Sequence, residues 1–120
     1  MLDSGPVPNH ALSATGALLC ALAVALGAFA SHGAEPDQQS RLALAALVLF
    51  GHGLALNVLA PTGSGRRAAW ALWLLLVGCL LFSGSLIGAA LLGTRAPLAP
   101  IGGVALISGW LLLAIARLRP

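Results

Sequence analysis

Four long apolar runs separated by short polar segments dominate the chain. Apart from His52, residues 11–31, 42–60, 68–92 and 98–116 carry no ionisable group other than two thiols. A bilayer core about 30 Å thick needs roughly 20 apolar residues in a helix, and each run is near that length. The punctuation is polar or turn-forming. His32 to Arg41 carries Glu35, Pro36 and Asp37, Pro61 to Arg67 is rich in Gly and Arg, and Gly93 to Pro97 reads as a tight turn. In hydrocarbon every backbone N–H and C=O needs a partner within the spanning structure, which leaves helices or a closed barrel. Alternating ten-residue strand patterns are not seen. The pattern predicts an all-α integral membrane four-helix bundle with short loops, one transmembrane domain over residues 1–120.

Composition agrees with this reading: 59% of residues are hydrophobic and 8% charged, far from the usage of a water-soluble domain. All six basic residues are Arg, set against Asp3, Glu35 and Asp37. That is too few for the clustered basic face of a nucleic-acid binder. Their placement carries more information. Arg66, Arg67, Arg117 and Arg119 lie on the side of the second loop and the tail, whereas Arg41 and Arg95 lie on the other side with Glu35 and Asp37. The positive-inside rule then puts both termini in the cytoplasm of a cell whose inner or plasma membrane holds the chain. Trp70 and Trp73, just past the Arg pair, suit the interface on that side.

Ala28-Phe29-Ala30 before Ser31 imitates a signal-peptide cleavage site. The region before it has no Lys or Arg and the apolar run exceeds a usual signal core, so the segment is expected to remain as the first span.

Little conventional chemistry is encoded. His52 is expected near the membrane midplane, and an ionisable residue there is a functional candidate because its ring nitrogens need partners in lipid. The structural alternative is a neutral imidazole bonded to a neighbouring helix. His32 belongs at the outer end of the first span, some 15 Å from His52 by helical rise, too far for a shared metal. No carboxylate lies in a span, which disfavours a proton-coupled carrier. Cys20 and Cys79 read as free thiols within apolar runs. No nucleophile with a base and no paired acid and base is assembled. The expectation is a non-enzyme with no cofactor and no metal.

Small residues suited to close helix packing are abundant. Gly84 and Gly88 form a GxxxG in the third span; Ala23, Gly27 and Ser31 make a stripe in the first; Gly102, Gly103 and Gly109 mark the fourth. These are expected to hold the helices to one another or to dock a partner helix.

Four strings occur in order: Gly27-Ala28-Phe29-Ala30-Ser31-His32, His52-Gly53-Leu54-Ala55, Leu81-Phe82-Ser83-Gly84-Ser85-Leu86, and Pro100-Ile101-Gly102-Gly103-Val104 with Ser108-Gly109-Trp110. This set resembles the small bacterial inner-membrane proteins of the YgdD and YwdK type, a domain-of-unknown-function family (number four-two-three) that extends to vertebrate transmembrane protein two-five-six. The resemblance runs from about Ala11 onward. It implies four membrane helices and no established activity, with His32 and His52 on positions where the family pattern has His. Val48-Leu49 stand where that pattern has a Tyr-Gln pair, which removes one potential partner of His52. The sequence thus points to an accessory, assembly or stabilising subunit, in contact with the lipid bilayer, other membrane-protein subunits or further copies of itself. The alternative is a small-molecule, ion, lipid or quinone pathway lined by His52, Asn57, Ser83 and Ser85, in which His52 and Ser83 share a polar seam.

Overall fold

The computed structural model describes residues 8–62 and 65–118; Asp3 and Arg119, both used in the charge comparison, lie outside them. Four helices follow in order: α1 (His10–His32), α2 (Pro36–Leu59), α3 (Arg66–Leu92) and α4 (Ala99–Leu118), with a single 3₁₀ turn, Ala60–Thr62, after α2. All four are long and apolar enough to cross a membrane.

The ends are set by capping chemistry. Asn9 caps α1 by accepting the Leu12 N–H at 2.9 Å. α2 starts six residues before the apolar run expected from 42. Pro36 occupies its first turn, where a missing N–H does no harm, and the Gln38 side chain accepts the Glu35 N–H at 3.1 Å, one arm of a capping box. α3 ends on Gly93, whose φ of +70° is the left-handed conformation that glycine adopts without strain.

α1 packs on α2 and α3 on α4, and the two hairpins meet along α2 and α3. Leu12 and Leu19 of α1, Leu49 and Leu56 of α2, Leu72, Leu75 and Cys79 of α3, and Leu106 of α4 form one core. The outer helices bury narrow seams. Leu12, Gly16, Leu19 and Ala23 in α1, and Gly102, Leu106, Gly109 and Leu113 in α4, alternate spacings of four and three, the period of a helix presenting one stripe to a neighbour. The opposite faces expose large apolar residues such as Leu22, Val24, Val104 and Ile107. That distribution suits a solvent of lipid chains, in which apolar exposure carries no penalty.

Two glycine pairs set how close the helices come. A Cβ on Gly16 would overlap the Gly53 carbonyl and stand 2.7 Å from the Asn57 nitrogen; one on Gly53 would stand 2.7 Å from the Gly16 oxygen. In the second hairpin a Cβ on Gly78 would lie 3.0 Å from the Gly102 oxygen, and Gly109 sits against Leu75 and Ala71. Gly103 and Gly27 make ordinary contacts at 3.9 Å, with the Phe82 ring and Ala46 respectively. The expected packing role of the third-span GxxxG does not appear in the fold. Gly84 has nothing within 4 Å and Gly88 meets only the Thr94 hydroxyl, at 3.7 Å. Ser31, last in the α1 stripe, is exposed. A four-residue repeat marks a face without saying which way that face points, and α3 turns Gly84 outward.

Candidate functional site

The polar side chains of the spans form a series of joints between helices. His52 is half-buried on α2. Its Nε2 lies 3.0 Å from the Trp110 indole nitrogen on α4, and its Nδ1 lies 2.8 Å from the Val48 carbonyl one turn back. An indole N–H only donates and a carbonyl only accepts, so the pair defines the ring: Nε2 is bare and accepts, Nδ1 carries the proton and donates. Both nitrogens of a neutral imidazole are thereby satisfied. The rings stand 5.8 Å apart between centroids with planes inclined at 55°, a tilted aromatic contact.

The loss of the Tyr-Gln pair ahead of His52 does not leave it unpartnered. Val48 serves through its backbone, which no side-chain identity alters, and Trp110 comes from the other hairpin. The relevant sequence signal was Trp110 itself. It lies well inside the fourth apolar run, unlike the end-of-span Trp70, and an indole N–H in hydrocarbon requires an acceptor.

Ser83 is fully buried and its hydroxyl donates to the Ala45 carbonyl of α2 at 2.9 Å. Ala45 precedes His52 by about 10 Å of helix, so the Ser83 and His52 bonds are separate joints at different depths. Ser85, two positions on, turns away from Ser83's face. Asn57 forms a third joint, where Ser13 Oγ donates to the Asn57 carbonyl at 3.0 Å and Asn57 Nδ2 donates to the Ser13 carbonyl at 3.2 Å and to Ser13 Oγ at 3.3 Å. This double clamp sits beside the Gly16–Gly53 approach, where backbones are close enough for short side chains to reach across. The Cys20 thiol donates to the Phe50 carbonyl at 3.6 Å. At the far end, Gln38 Nε2 donates to the Ala90 carbonyl at 3.0 Å, joining α2 to α3.

His32 is exposed in the last turn of α1, and the axis of α2 separates it from His52 by about 24 Å. Among the described residues no three His, Cys, Asp or Glu side chains gather as a metal group. The fold therefore brings together His52 with Trp110 and Ser13 with Asn57, and keeps His32, His52, Ser83 and Ser85 apart.

Three of the four strings that carried the family resemblance meet in space. Gly102 of Pro-Ile-Gly-Gly-Val presses on the Phe82 backbone of Phe-Ser-Gly-Ser-Leu, and His52-Gly53 contributes both the Trp110 acceptor and the Gly16 contact. Sequence comparison gives the same family. Residues 26–103 match the protein family of unknown function DUF423. The chain belongs to this family. Relatives include a UPF0382 membrane protein of Staphylococcus epidermidis, 39% identical over 112 residues covering 87% of this chain and 92% of the relative. The UPF0382 membrane protein YwdK of Bacillus subtilis is 33% identical, with 87% and 93% covered. A UPF0382 membrane protein of Schizosaccharomyces pombe is 33% identical, with 78% and 90% covered. No solved structure matches the chain. The DUF423 chain is a multi-pass membrane protein in which His52, Ser83, Asn57 and Ser13 are engaged in helix–helix bonds.

Proposed function

We propose that this DUF423 protein is a non-enzymatic accessory, assembly or stabilising subunit of a larger membrane complex. The observation that carries the reading is the use of its polar groups. His52, Ser83, Asn57 and Ser13 each bond across to a neighbouring helix or its backbone, while the faces turned away from the core are apolar. Such a body offers partner helices a rigid apolar surface. The alternative of a conduit or ligand site centred on His52 has less support, because both ring nitrogens already hold partners.

Extraction of the full chain in a mild detergent or native nanodisc, followed by mass spectrometry and an absorbance spectrum, tests this. A stoichiometric membrane partner is expected. A lone chain carrying a quinone or haem would overturn the proposal in favour of the ligand reading.

The same proposal includes orientation. Arg66, Arg67 and Arg117 share one end of the bundle, and Glu35, Asp37, Arg41 and Arg95 belong to the other, so the arginine-rich end with both termini is assigned to the cytoplasm of the inner or plasma membrane. A carboxy-terminal fluorescent-protein fusion should glow and a carboxy-terminal alkaline phosphatase fusion should be inactive. Active phosphatase would reverse the assignment.

A further inference from the structure

Arg66, Ala69, Trp70 and Trp73 line an open hollow of about 420 Å³ on the outward side of α3. Arg66, Trp70 and Trp73 are spaced i, i+4, i+7 and so form one stripe. Both indoles are exposed, Trp70 at 62% and Trp73 at 47%. The hollow also sits at a defined depth. α3 has 27 residues, about 40 Å at 1.5 Å per residue, against a hydrocarbon core of about 30 Å. A guanidinium is strongly disfavoured in that core, so Arg66 stands in the head-group layer and the two indoles reach from there into the upper acyl region.

Among the described residues no acid balances this charge. The two described acids, Glu35 and Asp37, start α2 at the opposite end of the bundle, whereas Arg67 and Arg117 add positive charge at this one. A planar fork of donors at the polar rim, with an apolar floor of two indoles and Ala69 running into the membrane, complements one kind of molecule: a negatively charged head carried on hydrocarbon.

We infer that this hollow is a binding site for an anionic phospholipid. The lipid phosphate lies on the Arg66 guanidinium, and the glycerol and first part of an acyl chain cover Trp70 and Trp73. A soluble anion would gain nothing from the indoles, and a zwitterionic lipid would bring a cation to an already positive end.

The test uses the full chain in nanodiscs of phosphatidylcholine with phosphatidylglycerol as the minor component, with retained lipid read by native mass spectrometry. The expected result is one retained phosphatidylglycerol per chain, with a preference over phosphatidylcholine of about fivefold, the effect of one Arg near an anionic surface. R66Q should abolish that preference, and the double variant W70A/W73A should weaken retention; all three residues are exposed, so the fold is spared. R117Q removes the same charge from the same end and should leave the preference unchanged. Equal retention of the two lipids, an equal loss in R117Q, retention unaffected in W70A/W73A, or displacement of the lipid by inorganic phosphate would each overturn the site.

Discussion

A methyl group added at Gly102 should force α3 and α4 apart and destabilise the protein by about 1–3 kcal/mol, the usual effect of overpacking. The new Cβ would stand 2.5 Å from the Phe82 nitrogen, 2.7 Å from the Gly78 oxygen and 2.9 Å from the Phe82 Cα. All three are backbone atoms, so no side-chain rotation relieves the overlap and the helix axes themselves must move. Gly84→Ala provides the contrast. It lies on the same helix as Phe82 but meets nothing within 4 Å, and Ala is favoured over Gly within a helix by up to about 1 kcal/mol. Unfolding of the purified variants in mixed micelles should show G102A well below the parent and G84A at or above it. Equal shifts in the two would mean that the α3–α4 approach is looser than described.

Trp110→Phe should cost about 1 kcal/mol, with most of that effect disappearing when His52 is already replaced by Leu. Phe keeps an aromatic ring but removes the indole N–H that reaches Nε2, so the imidazole acceptor is left in an apolar setting. Hydrogen bonds between membrane helices have worths of about 0.6 kcal/mol on average and up to about 1.7. The His52–Trp110 bond is placed toward the upper part of that range because each ring also packs on the other. The checking measurement is a double-mutant cycle of W110F, H52L and the pair. Additive effects would show that the two rings are neighbours without a bond that matters.

Hydropathy located the four spans because the bilayer imposes a minimum length, and α1 and α3 begin within two residues of the runs read at 11 and 68. It placed the start of α2 poorly for a physical reason. Pro36 to Arg41 are polar and look like loop to a hydropathy count, yet Pro in the first turn and the Glu35–Gln38 pair are helix-start signals. Helix length there extends beyond membrane thickness. The glycine contacts were only partly legible. Gly16, Gly102 and Gly109 lie on seams of buried positions, but Gly84 and Gly88 do not, and Gly53 and Gly78 belong to no small-residue repeat within their own helices. Their role arises from complementarity between two helices, which a single-helix pattern does not encode. The four-and-three spacing of Leu12, Gly16, Leu19 and Ala23 marks Gly16 more surely than the GxxxG marks Gly84. For His52, the need of a partner could be read from the sequence, whereas its identity needed the placement of α4 beside α2.

The pairing of α1 with α2 and of α3 with α4 bears on how the protein is made. Only Gly33 to Glu35 separate the first two helices, so closing that hairpin carries a small loop entropy. Its Gly16–Gly53 approach and the Ser13–Asn57 clamp involve no residue beyond Asn57. The first hairpin can therefore assemble before α3 and α4 are in place. The core shared between hairpins, with Ser83 bonding Ala45 and Trp110 bonding His52, waits for the second half. Biogenesis by this route is a joining of two preformed hairpins, and the His52 acceptor remains open until the end of the chain arrives.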